Sequence, residues 1–206
     1  MHEDGGDGGA PLSEVERAWR RATPGISHVI AVERCGPSGD GAPRDARGVD
    51  IRAHNAPLDR LFAGGPWQTV GIGDLGNELG MGSLPLDLVA GNIAHGRELW
   101  CTVGCDYPIV GGVSNWASAA LLGAITLLWP RPVNRMAEAM RPQFARRLLE
   151  AAVLDGGAVA SDGPGAVPRS HLFVDGQPWS VLEGVFSEIH DACLRHLSAH
   201  PSPRFR

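Results

Sequence analysis

The chain has 206 residues, enough for a sizeable core, and carries a formal net charge of −5 at pH 7. That charge argues against a general nucleic-acid surface, and no apolar run approaches the roughly 18–20 residues that span a bilayer. All 18 basic residues are arginine, so a lysine Schiff base to pyridoxal phosphate, a P-loop lysine and a lysine general base are all excluded, and arginine stays protonated and cannot stand in.

Residues 1–12 are acidic and glycine-rich and read as a disordered segment. They lack the positive start and apolar stretch of a secretory signal, and a cytoplasmic location is expected. Residues 12–21 have the apolar spacing of a helix, with Ser13 and Glu16 placed like a capping box. Residues 27–32 read as a buried strand that ends at Glu33 and Arg34. A loop rich in Gly, Pro and Asp follows and carries Arg44 and Arg47. Residues 57–62 form a short helix, 68–72 a strand and 86–93 a helix. Residues 99–103 and 107–110 read as two further strands. Residues 114–129 make a long apolar helix closed by Pro130 and Pro132. A helix over 142–154, a small strand over 172–174 and an amphipathic helix over 181–197 complete the series, with 201–206 as a tail.

Strands alternating with helices predict an α/β class: a mostly parallel sheet flanked by helices, with Rossmann-like layering, in a single domain over residues 13–200. Ligands in such sheets gather beyond the carboxyl ends of the strands. Three of those ends carry polar residues: Glu33 with Arg34; Asp74 with Asn77 and Glu78; and Ser114 with Asn115. If the strands are neighbours, these ends converge on one cleft.

The stretch from Thr69 to Gly82 holds five glycines around Asp74, Asn77 and Glu78. Gly71, Gly73 and Gly76 satisfy G-x-G-x-x-G. Asp74 would repel a pyrophosphate there, and Gly80 and Gly82 would break the helix meant to hold it, so no NAD is expected. Asp74, Asn77 and Glu78 are hard oxygen donors suited to Mg²⁺ or Mn²⁺, or to general-base work. A helix N-terminus capped by Asp74 would explain the carboxylates but not the glycines. Ser114 reads as an N-cap whose neighbouring amides suit a carboxylate. Trp116 stands where a nucleophile elbow needs glycine, which argues against a serine hydrolase. Glu33 and Arg34 form either a buried pair or a clamp for a substrate carboxylate. Cys101 and Cys105 make only a lone C-x3-C, and all four cysteines read as reduced. His190, Cys193 and His196 read as the flank of the terminal helix.

Four segments, VIAVERCGPSGDG with the downstream ARGVDI, TVGIGDLGNELGMG, YPIVGGVSNWASAAL and VDGQPW, together resemble the C-terminal domain of the D-glutamate cyclase family over most of residues 26–182. The resemblance implies a hydro-lyase that closes D-glutamate to 5-oxo-D-proline with loss of water, acting on a small acidic amino acid. Asp74, Glu78 and Glu33 are the catalytic candidates. Arg34, Arg47, Asn77, Ser114 and Asn115 are the substrate-binding candidates, and Asp74 and Glu78 are candidate ligands for Mg²⁺ or Mn²⁺. Two departures stand out. Leu75 occupies a position where the family has glycine, next to Asp74. The chain also looks shortened at its N-terminus, without the family's first βα elements and their Asp-Gly-Pro-Pro-Gly loop. The alternative is a non-catalytic module that binds an acidic amino acid or 5-oxoproline, or a truncated inactive homologue.

Overall fold

The computed structural model describes residues 12–128, 139–154 and 172–199. They divide into two compact units, one reaching through Val110 and one starting at Gly111. The first contains α1 (Leu12–Arg20), β1 (His28–Val32), α2 (Asp59–Ala63), β2 (Gln68–Gly73), α3 (Leu86–Asn92), α4 (Gly96–Leu99) and β3 (Tyr107–Val110). The second contains α5 (Ser114–Leu128), α6 (Pro142–Leu154), β4 (Phe173–Val174), β5 (Gln177–Pro178) and α7 (Trp179–Ala199).

The α/β class with a parallel sheet is what the structure has. The strands run in the order β1-β2-β3, all parallel, with Ala31 beside Gly71 and Ile72 beside Ile109. Helices flank the sheet, consistent with Rossmann-like layering. Central β2 is buried from Thr69 to Gly73. Its side chains alternate between faces. Thr69, Gly71 and Gly73 share a face with Val29 and Ala31 of β1, and Ala31 joins Phe62, Leu79 and Cys101 in the core. Thr69 ties β2 to the entrance of β3. Its amide and hydroxyl donate to the Asp106 carboxylate at 2.7 and 2.8 Å. Those bonds hold the Asp106 carboxyl below its ordinary range. Trp67 donates its indole N–H to the Phe62 carbonyl and meets Trp19 of α1 edge-to-face at 5.6 Å.

Three expectations change. The strand read as buried, β1, is an edge strand: among the described residues it pairs only with β2, and Ile30 and Val32 are 49% and 43% exposed. Residues 99–103 are not a strand, because their backbone groups are spent on loops. The Cys101 amide donates to the Gly76 carbonyl, and the Thr102 amide to that of Pro37. The Val103 carbonyl accepts from Gly80 and Gly82. The capping box is not formed: Ser13 lies inside α1, and Glu16 pairs with Arg20.

In the second unit, α5 is apolar on nearly every side, with Ala117, Ala119 and Gly123 buried and Ala120, Ala124 and Leu128 exposed. Gly123 lets it approach α7 closely, since a Cβ there would sit 2.9 Å from Ile189 and 3.3 Å from the Cys193 sulfur. Cys193, read above as part of the terminal helix's flank, is buried in this contact. The strand expected over 172–174 is β4, and it returns to β5 through Asp175 and Gly176, both at positive φ. Asp-Gly supplies that left-handed pair, as two-residue hairpins require. The end of the helix expected over 114–129 and all of 129–138 lie outside the described residues, as do residues 1–11 and 200–206.

Candidate active site

The site is assembled at the carboxyl rim of the sheet. Strand β1 runs into Glu33, whose amide still donates to the Ile72 carbonyl at 3.1 Å before the chain turns away with φ of 53°. A left-handed non-glycine residue costs roughly 1 kcal/mol or more and persists where the surroundings fix it, often at functional sites. Strand β2 ends at Gly73, and the chain then folds around the carboxylate of Glu78. Glu78 Oε1 accepts from the amides of Asp74 and Leu75 at 2.9 and 3.1 Å, and Oε2 from that of Gly76 at 2.8 Å. Residues 77–79 return beside the end of β1: the Gly36 amide donates to the Asn77 carbonyl and the Leu79 amide to the Arg34 carbonyl. These paired segments bring one oxygen each of Glu33, Asp74 and Glu78 within 4.8 Å of one another.

Glu78 is 3% exposed, and burial is the main force pushing its carboxyl above the ordinary value; the amides of Asp74 and Leu75 oppose that shift and the charge of Asp74 adds to it. Three clustered carboxylates repel one another, and a cation placed among them relieves that repulsion. The oxygen-only donor set could hold a hard divalent cation.

The structure also explains the glycines. A Cβ on Gly71 would lie 2.5 Å from the Leu79 carbonyl oxygen and 2.7 Å from the Gly80 Cα, so two backbones touch at this crossing. A Cβ on Gly73 would meet the Glu78 carboxylate at 2.7 Å. The cluster therefore lets the motif's return segment pass close against β2, with the Glu78 carboxylate held by the amides of the turn. Leu75 takes no left-handed conformation in this turn. The positive-φ positions are Gly76 and Gly80, the Leu75 amide serves Glu78, and its side chain lines a cavity beside Asp74.

The remaining candidates have other partners. Asn77 is 4% exposed, and its amide donates to the Arg44 carbonyl at 2.8 Å and to the Cys35 sulfur at 3.4 Å. It latches the loop of residues 36–50 to the rim. Arg47 pairs with Asp45 in that exposed loop. Arg34 donates to the Ala56 carbonyl at 2.6 Å and lines a separate groove with Val15 and Trp19. Ser114 and Asn115 belong to the second unit. There the Val113 carbonyl accepts the first helical bonds, from Trp116 and Ala117, so Val113 is the N-cap and buried Ser114 the first helical residue. Asn115 lines a cavity of about 210 Å³ with Leu148, Trp179 and Phe186. Two features escaped the sequence reading. One is Cys35, whose thiol is pushed up by burial and by Glu78 and so is held protonated, a poor nucleophile. The other is the apolar wall that α3 sets beside Asp74, signalled only by the helical spacing of 86–93.

The chain matches the family described as D-glutamate cyclase-like, C-terminal, over residues 4–190. It is 38% identical over 116 residues to the Homo sapiens protein named D-glutamate cyclase, mitochondrial. That match covers 54% of this chain and 19% of the relative's length. The relative's name overturns the cytoplasmic location expected above, which rested only on the want of a secretory signal, and that does not separate one internal compartment from another. Among the described residues no helix is long and apolar enough to cross a membrane. The extent of the family match, with the four motifs in order along it, makes this chain a member of the D-glutamate cyclase-like family, matching its C-terminal domain.

Proposed function

We propose that the chain is a lyase of the D-glutamate cyclase type that closes D-glutamate to 5-oxo-D-proline with loss of water. The observation that carries this reading is the meeting of Glu33, Asp74 and Glu78 within 4.8 Å at the sheet rim of a chain in this family. In the reaction the amine nitrogen attacks the side-chain carboxyl carbon, a C–N bond forms and a C–O bond breaks. Both protons of the departing water come from the substrate ammonium. Asp74, half-buried at the rim, is placed to take the first as general base. Glu33, exposed across the cluster, takes the second as the C–N bond forms, and both carboxylates pass their protons to the leaving oxygen, which departs as water. Glu78 grips the amide of Asp74 and so aims it. A bound Mg²⁺ or Mn²⁺, for which this donor set is suited, would supply a Lewis acid that eases departure of that oxygen. The reaction is intramolecular, so holding amine and carboxyl in register supplies much of the acceleration.

Incubation with D-glutamate, with Mn²⁺ and with a chelator, followed by chromatography for 5-oxoproline, tests the reading. Product is expected from the wild-type chain. None from folded protein, under conditions where a family enzyme turns over, sinks it. A second reading, a module that binds an acidic amino acid or 5-oxoproline without turnover, is favoured by one observation: Asn77 and Glu78 spend their side chains on the loop itself. Calorimetric binding without product would select it.

A further inference from the structure

Beside Asp74 lies a cavity of about 220 Å³ whose wall is hydrocarbon: Leu75, Met81, Leu84, Leu88, Val89 and Ile93. Its polar lining side chains are Asp74 itself and Asn92, whose amide nitrogen already donates to the Leu88 carbonyl at 2.8 Å. A substrate whose ammonium meets Asp74 has part of its body facing this space. A carboxylate placed there would lose its hydration, find no cationic partner among these residues and be repelled by Asp74. Alkyl groups would instead displace water that has few hydrogen-bond partners.

We propose that this cavity is a subsite for hydrocarbon, so that the site prefers glutamate analogues carrying an alkyl branch on the carbon chain to glutamate itself. The proposal rests on the cyclase-type reading, since that reading puts the amine at Asp74. Leu75 is then a specificity residue: it lies outside the turn's positive-φ positions and forms part of the wall beside Asp74. Leu88 supplies the outer lip, 53% exposed on α3.

The test is calorimetric titration of the full chain with D-glutamate, 4-methyl-D-glutamate and 4-propyl-D-glutamate. Affinity is expected to rise about fourfold for each buried methylene. In Leu88→Asn, an exposed position that a polar side chain tolerates, the gain per methylene should fall below about twofold. Binding of glutamate with no gain, or a loss, along the alkyl series overturns the subsite and leaves the cyclase reading standing. An undiminished gain in Leu88→Asn also overturns it, because the branch would then be seated elsewhere. Failure of every compound to bind overturns the cyclase reading together with the subsite built on it.

Discussion

Asp74 and Glu78 are four residues apart and near one another in space, yet their environments give them different work. Glu78 holds three amides from within the protein, whereas Asp74 stands at the rim of an apolar cavity. Removing each should therefore read out differently. Glu78→Ala strands three amides and is expected to cost about 2–4 kcal/mol of unfolding free energy in urea titrations. Asp74→Asn should alter stability by less than about 1 kcal/mol while lowering turnover about 100-fold or more. Glu78 also sets a pH dependence. Its folded carboxyl binds a proton more tightly than the unfolded chain does, so its contribution to stability is full below about pH 4.5 and is lost as pH rises through the raised folded value. Unfolding of wild type against Glu78→Gln, at about pH 4.5 and near neutrality, should show the wild type losing ground to the variant at the higher pH. Residue types alone pointed to the acidic cluster, because strand ends gather ligands. They did not separate Asp74 from Glu78, since a carboxylate that holds backbone amides and one that faces a ligand look alike in sequence.

At the scale of elements, β2, α6 and α7 were legible because their apolar spacing and their proline and glycine boundaries agree with what they pack against. The segment at 99–103 was not legible. It has the composition of a strand, but its partners are the turns at Pro37, Gly76 and Gly80, and no local pattern names partners so distant in sequence. The apparent burial of β1 failed for a related reason: Val, Ile and Ala suit an edge as well as a centre, and pairing decides which. The crossing of β2 with the return segment at Gly71 and Gly80 is the tightest joint in the motif. Gly71→Ala forces a methyl group into backbone and should cost about 3 kcal/mol or more in urea, with an unchanged denaturant slope. Gly25→Ala, where nothing lies within 4 Å, is the matched control and should change little.

For the molecule as a whole, the edge at β1 is the exposed liability. Half-exposed Ile30 and Val32 sit on a strand whose outer side pairs with no strand among the described residues, an arrangement that invites strand-to-strand association. Val32→Lys should lower self-association in light scattering at high protein concentration, with the unfolding midpoint nearly unchanged. The clasp around Glu78 has a further consequence, for motion. A glycine-rich turn at a sheet rim would ordinarily open on its own and exchange its amide protons quickly. Here the amides of Asp74, Leu75 and Gly76 are bonded to a carboxylate buried under that turn. Their deuterium uptake should match that of β2 and accelerate in Glu78→Gln, leaving the rim as still as the strand that feeds it.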